Sequence, residues 1–204
     1  MSFSNTELSV FAAEVGSRSP IPGGGGAAAY AGALGAALGV MASELTRGKK
    51  KYIEHTAELD RIIGGLDALR GELVALVDGD AEAFEPLSRV YAIPHGTPGR
   101  EEEMERCLRR AAQSPMRIVR CCCRCIALLA ELSEMCTPLS VSDAATGIAL
   151  CRAALLGGAV NVRVNTHYMR GREYAAALDG ETARLTAEYG RLADEVYDRI
   201  WKMM

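Results

Sequence analysis

The stretch Ser19-Pro20-Ile21-Pro22-Gly23-Gly24-Gly25-Gly26-Ala27-Ala28-Ala29-Tyr30-Ala31-Gly32-Ala33-Leu34-Gly35 decides how the rest of the chain is read. Two prolines and four glycines cannot continue a helix, so they read as a loop. From about Ala27 to Thr46 the residues are small and suit a helix. Gly32, Gly35 and Gly39 leave flat places on it where another backbone can approach, so the helix belongs at the centre of the fold. Gly23 to Ala28 also fits G-x-G-x-x-A loosely, but no buried strand precedes it and no Lys-Ser or Lys-Thr ends it. A dinucleotide fold and a P-loop are therefore excluded. What remains is a glycine loop opening on a helix N-terminus. Its free N–H groups can hold an anion or a polar ring edge, or simply form a tight turn.

Outward from this stretch the periodicity is helical everywhere, with apolar residues recurring at three and four. Ser4 and Glu7 fit a capping box for a short helix carrying Leu8, Phe11, Ala12 and Val15. Beyond the basic joint Arg47-Gly48-Lys49-Lys50-Lys51, a long helical stretch is expected to bury Ile53, Ile62, Ile63, Leu66, Leu69, Leu73, Leu76 and Val77. It is expected to bend near Asp78-Gly79-Asp80 and to end at Ile93-Pro94. The next helix starts at Thr97-Pro98, with Glu101, Glu102 and Glu103 in a first turn that favours acids, and runs to about Glu131 with a kink at Pro115. Ser142 or Asp143 suits the N-cap of a helix from Ala144 to Leu156, interrupted by Gly157-Gly158 and resumed to Met169. A last helix covers about Glu173 to Met203. The expected fold is all-α, an antiparallel bundle of long helices forming a single domain over residues 1–204.

The totals agree. A chain of 204 residues can bury a sizeable core, and aromatics at 5% leave that core to aliphatic residues. A net charge of −3 provides no whole-chain attraction to nucleic acid or an anionic membrane. Ile21 to Ser43 is uncharged and long enough to span a bilayer, but its Gly and Ala contribute little transfer energy, and it reads as a buried soluble helix. The seven cysteines are odd in number, and Cys121, Cys122, Cys123 and Cys125 crowd one helical turn. Neighbours on a helix cannot reach disulfide geometry, so free thiols in a reducing cytosol are expected. No metal-ligand spacing accompanies them.

Four further groups could carry chemistry. Asp80 stands one turn from Phe84 beside small residues. Such a niche raises a carboxyl's pKa and suits it to proton transfer, though two acids at a solvated kink would look the same. Arg106, Arg109, Arg110, Arg117, Arg120 and Arg124 share about a third of a helical wheel, as a salt-bridged face or an anion-facing wall. Asn161 and Asn165 stack on one helix face, where their amides can read a heterocycle edge or tie two helices together. His55, His95 and His167 have no ligand spacing and read as surface or structural.

In order and spacing, these segments resemble one family. Ser19-Pro20-Ile21-Pro22 with Gly23 to Gly26, then Leu45-Thr46-Arg47-Gly48-Lys49-Lys50-Lys51-Tyr52, is similar to the opening of the cyclodeaminase/cyclohydrolase family. That family holds the C-terminal domain of formiminotransferase-cyclodeaminase and the stand-alone methenyltetrahydrofolate cyclohydrolases. Asp80-Ala81-x-Ala83-Phe84 resembles its central acidic motif, Ile93-Pro94, Thr97 and Arg106 the segment after it, and Ser142-Asp143 with Asn161-Val162-x-x-Asn165 its late motifs. His95 departs from a usual lysine.

The resemblance implies an all-α homodimer in the cytoplasm, acting on a tetrahydrofolate derivative without a metal or redox cofactor. Asp80 matches the family's proton-transferring aspartate. Pro22, Gly23, Gly24, Gly25, Gly26, Lys49, Lys50, Ser142, Asp143, Asn161 and Asn165 would bind the substrate, with the lysines on its glutamate tail. The four-glycine run and the lack of a fused partner look more like the cyclohydrolases, which hydrolyse 5,10-methenyltetrahydrofolate to 10-formyltetrahydrofolate. The alternatives are a formiminotetrahydrofolate cyclodeaminase releasing ammonia, and a non-catalytic folate- or anion-binding helical dimer.

Overall fold

The computed structural model describes residues 2–203. Seven α-helices and two short 3₁₀ segments, Phe3–Asn5 and Lys50–His55, make up its regular structure. The helices are α1 (Leu8–Val15), α2 (Gly24–Thr46), α3 (Thr56–Tyr91), α4 (Arg100–Ala111), α5 (Gln113–Ser133), α6 (Val141–Tyr168) and α7 (Arg172–Met203).

Helix α2 lies at the centre, between α3 and α6, with α5 behind it. Its glycines make this possible. A Cβ on Gly35 would stand 2.5 Å from Cys151 Sγ and 2.7 Å from the Gly147 carbonyl oxygen of α6. A Cβ on Gly39 would stand 2.6 Å from Leu66 of α3 and from Leu129 of α5. Bare backbone is therefore required where three helices converge on one. Around it the core is one contiguous cluster, and Leu59, Ile62, Leu66, Leu69 and Leu73 form a fully buried stripe on α3. Each such leucine contributes roughly 2 kcal/mol of burial.

The same contacts set the directions. Gly39, Gly32 and Gly25 meet Leu66, Leu73 and Asp80 in turn, so α2 and α3 are antiparallel. Gly24 meets Asn161, Gly32 meets Ala154, and Thr46 Oγ lies 3.3 Å from Ser140 Oγ, so α2 and α6 are antiparallel too. As a result α3 and α6 run side by side in one direction, and both project past the first turn of α2.

Several local expectations are corrected. Ile53 lies in the Lys50–His55 segment ahead of α3 and is exposed, and Ile63 is only half-buried, so the buried stripe of α3 starts at Leu59 and Ile62. Helix α2 begins at Gly24 rather than about Ala27, so three of the four glycines are its first turn. Helix α3 does not bend at Gly79; it is continuous over 36 residues and even accommodates Pro86. Gly157 and Gly158 do not interrupt α6. They are flat contact points, where an added Cβ would come within 3.0 Å of Ala28 and of Val119 respectively. The N-cap position of α6 is Ser140, with Ser142 and Asp143 inside the helix. The break between α4 and α5 falls at Ala112, ahead of Pro115, which sits in the first turn of α5 where its missing N–H loses nothing. The Thr97-Pro98 start is also replaced: Gly99, with φ 80°, precedes α4.

The proposed Ser4–Glu7 capping box is absent as well. Ser4 Oγ instead donates to Asp78 Oδ2 at 2.8 Å or less, together with Ser2 Oγ, while the Phe3 N–H donates to Oδ1 at 2.5 Å. Burial pushes the Asp78 carboxyl up, but the bonds from Ser4, Ser2 and Phe3 outweigh it and hold the carboxyl below its usual value. This anchors the N-terminal segment to α3 two residues before Asp80.

Candidate active site

Asp80 projects from α3 against the first turn of α2. The approach depends on Gly25, because a Cβ there would overlap both carboxylate oxygens and lie 2.5 Å from Cγ. The Gly26 N–H donates to the carboxylate, as the exposed N–H groups of a helix start allow. Burial pushes the Asp80 carboxyl above its ordinary value, and the Gly26 bond only partly offsets this. The result is a carboxyl that exchanges protons more readily near neutral pH than a surface aspartate does.

In front of it is a cleft of about 190 Å³. Its floor is Pro20, Ile21 and the Gly23–Gly24 turn. One wall is the α3 projection, with Asp80, Phe84, Leu87 and Tyr91 at helical spacing on one face. The other is the α6 projection, with Asn161, Val164 and Asn165. Helices α3 and α6 both pack on α2 but barely touch each other, which leaves the gap. Asn161 Nδ2 donates to the Gly157 carbonyl and Asn165 Nδ2 to that of Asn161, each at 2.8 Å. One N–H of each amide is used within α6, and the Oδ1 atoms remain as acceptors for a ligand. Apolar walls around few convergent polar groups are the usual character of a small-molecule site.

The residues singled out in the sequence fall into two groups. The glycine turn with Pro22, Asp80, Asn161 and Asn165 comes together at one end of α2. Lys49, Lys50, Ser142 and Asp143 gather at the other, where Thr46 meets Ser140. The 23 residues of α2 separate the two groups by roughly 34 Å at 1.5 Å per residue. Leu87, Tyr91 and Val164 were not anticipated as lining residues. For the α3 pair the signal was available: an apolar residue and a tyrosine continue the Asp80–Phe84 spacing along the same face.

The other groups have structural roles. Arg106, Arg109, Arg117 and Arg120 pair with Glu103, Glu105, Glu72 and Glu181, so most of the arginine stripe is a salt-bridged face. All seven cysteines are free, and burial pushes the Cys121 and Cys123 thiols up to about 12, which makes them unreactive packing residues. Among the described residues no cluster of His, Cys, Asp and Glu has the form of a metal site.

The chain is similar to known proteins in sequence and in fold. The chain is 34% identical to the methenyltetrahydrofolate cyclohydrolase of Methylorubrum extorquens over 96% of both chains. It is 31% identical to the formimidoyltransferase-cyclodeaminase of Mus musculus over 79% of its own length, although that match spans only 30% of the larger mouse protein. The crystal structure of formiminotetrahydrofolate cyclodeaminase from Thermotoga maritima superimposes with a TM-score of 0.83, at 28% identity, over 98% of this chain and 96% of that one. The formiminotransferase-cyclodeaminase family pattern matches residues 7–184. By this family match and these similarities, the chain belongs to the formiminotransferase-cyclodeaminase family.

Proposed function

We propose that the protein hydrolyses 5,10-methenyltetrahydrofolate to 10-formyltetrahydrofolate, with Asp80 as general base and then general acid. The observation that carries this reading is the desolvated Asp80 carboxyl, seated on the Gly25–Gly26 turn at the head of an apolar cleft. The 34% identity to a methenyltetrahydrofolate cyclohydrolase over 96% of both chains favours it over the other activities of the family.

The substrate carries a cationic amidinium carbon bridging N5 and N10. The ionised Asp80 stabilises that cation and takes a proton from water as its oxygen bonds to the carbon. The neutral adduct collapses when Asp80 returns the proton to N5. The C–N5 bond then breaks, the oxygen's remaining proton leaves to solvent, and a formyl group stays on N10. The reaction requires no metal or redox cofactor. Asn161 and Asn165 offer acceptors to the donor edge of the pterin, and Phe84 keeps the carboxyl desolvated.

We also take the working form to be a homodimer. Leu34, Met41 and Leu45 on α2 and Leu156, Val160 and Val164 on α6 leave an apolar strip at the surface, each residue at least 40% exposed. By length and composition both helices could cross a membrane, but about half of each is buried inside the fold (56% and 44%), and the strip is what remains. Such a strip suits a second copy. A two-fold axis lying across the helices would lay the α2 C-terminal end of one copy over the glycine turn of the other. That would bring Lys49, Lys50, Ser142 and Asp143 of the second copy to the cleft, which one chain cannot do. The compartment consistent with seven free thiols is the cytoplasm.

The cyclodeaminase reading, in which N10 attacks a formimino carbon on N5 and ammonia leaves, uses the same carboxyl. It draws support from the Thermotoga fold match. Parallel assays separate the two: loss of methenyltetrahydrofolate absorbance for the hydrolase, and ammonia release from 5-formiminotetrahydrofolate for the deaminase. Decay of the methenyl chromophore without ammonia release is the expected result. Binding of both folates with turnover of neither would reduce the protein to a folate-binding dimer.

A further inference from the structure

The cleft runs from the glycine turn and Asp80 at one end to Tyr91 at the other. From Asp80 α3 runs 11 residues to Tyr91, and α6 runs seven residues from Asn161 to Tyr168. Each projecting helix therefore finishes on a tyrosine, Tyr91 being the last residue of α3 and Tyr168 the last of α6. Tyr168 follows Asn161, Val164 and Asn165 at three- and four-residue spacing, so it continues the α6 wall of the cleft as Tyr91 continues the α3 wall. Tyr91 lines the cleft and is 50% exposed, and Tyr168 is 60% exposed. Neither hydroxyl has a hydrogen-bond partner among the described residues, and the ring of Tyr168 is held edge-on by His167 at 4.9 Å.

A substrate with its reacting carbon at Asp80 can extend only one way. Its pterin, adjacent to that carbon, fits over the short floor between Gly23, Gly24 and Asn161. The longer p-aminobenzoyl-glutamyl arm has to leave between the two projecting helices. At about 1.3–1.5 Å per bond, the first glutamyl carboxylates lie roughly 10 Å from the reacting carbon. The Cα of Tyr91 is about 16 Å along α3 from that of Asp80. Side chains on a helix lean toward its N-terminus, which brings the Tyr91 hydroxyl back toward the arm. Burial and Tyr168 also push the Tyr91 phenol above its ordinary value, so it remains a donor throughout the physiological range.

We infer that Tyr91 and Tyr168 form a paired gate at the cleft mouth that recognises the first glutamyl carboxylates of the substrate. The inference rests on the folate reading of the site and extends it to a part of the substrate that takes no part in the chemistry. It assigns the two hydroxyls to specificity and leaves Asp80 as the catalytic residue.

The test is equilibrium binding of 5-formyltetrahydrofolate and of 5-formyltetrahydropteroate, which lacks the glutamyl group. Wild type, Tyr91→Phe, Tyr168→Phe and the double variant are compared; phenylalanine keeps the ring and its packing. Wild type should prefer the glutamyl ligand by about tenfold or more, the value of a hydrogen bond to a charged group. Each single variant should lose part of that preference and the double variant most of it, with affinity for the pteroate unchanged. A preference that survives in the double variant, or equal weakening of both ligands, overturns the gate. If wild type binds neither ligand, the folate reading itself fails, and the gate with it.

Discussion

At Asp80 a single carboxyl is partly buried at the start of a helix, and that burial has opposite effects on chemistry and stability. The native state holds the Asp80 proton more tightly than the unfolded chain does, because burial raises the native value. Between the unfolded and native values the folded protein binds more protons, so stability falls as pH rises through that window and stays lower above it. Asp80→Asn should therefore abolish turnover, by about 10²–10⁴-fold, while melting no lower than wild type at neutral pH. Thermal denaturation beside the chromophore assay checks both; retained turnover would remove Asp80 from the chemistry. In wild type, activity should decline as pH falls through the raised Asp80 value, in a pH profile of kcat. Gly25→Ala tests the seat of the carboxyl. Its methyl would displace the Asp80 oxygens, and a misplacement of that order costs about a hundredfold in rate. Circular dichroism should show the helices intact.

At the scale of elements, α2 is a spacer whose missing side chains fix how closely its neighbours approach. Gly35→Ala should be destabilising by about 1–3 kcal/mol, since the new methyl meets the Gly147 carbonyl, and backbone cannot turn aside. Chemical denaturation would read this, and an unchanged midpoint would mean that α2 and α6 are less closely packed than described. The lengths of α3 and α6 matter equally. Both outrun α2, and the cleft exists only in the space where they have passed its end. The uninterrupted course of α3 through Gly79 is what keeps Asp80, Phe84, Leu87 and Tyr91 on one face. A bend there would have turned the last three away from the carboxyl.

For the whole molecule, the relevant feature is an apolar strip on the same two helices that frame the site. Val164 belongs to both the strip and the cleft wall, so covering one affects the other. Val160→Asp places a charge in the middle of the strip without touching the cleft lining. On the proposed dimer, light scattering should show the variant as a monomer, with activity reduced by loss of Lys49, Lys50, Ser142 and Asp143 of a second copy from the site. A monomer with full activity would show that one chain suffices.

Much of this was legible in the sequence for identifiable reasons. Apolar spacing of three and four on residues such as Ile62, Leu66, Leu69 and Leu73 is a local property, so the helices and the all-α class follow from it. The glycine run and the Asp80–Phe84 pair marked the candidate site by their residue types. Local signals misled where tertiary contacts outweighed them. Gly79, Gly157 and Gly158 read as breaks, yet lie inside helices because packing compensates for their poor propensity. Ser4 read as a helix cap, yet its hydroxyl found a stronger acceptor in Asp78, 74 residues away. Only the tertiary structure decided which motifs meet, because that depends on helix direction and length. Antiparallel packing on α2 joins Gly25, Asp80 and Asn161 at one end and sends Lys49 and Asp143 to the other. No periodicity within a single helix encodes that division.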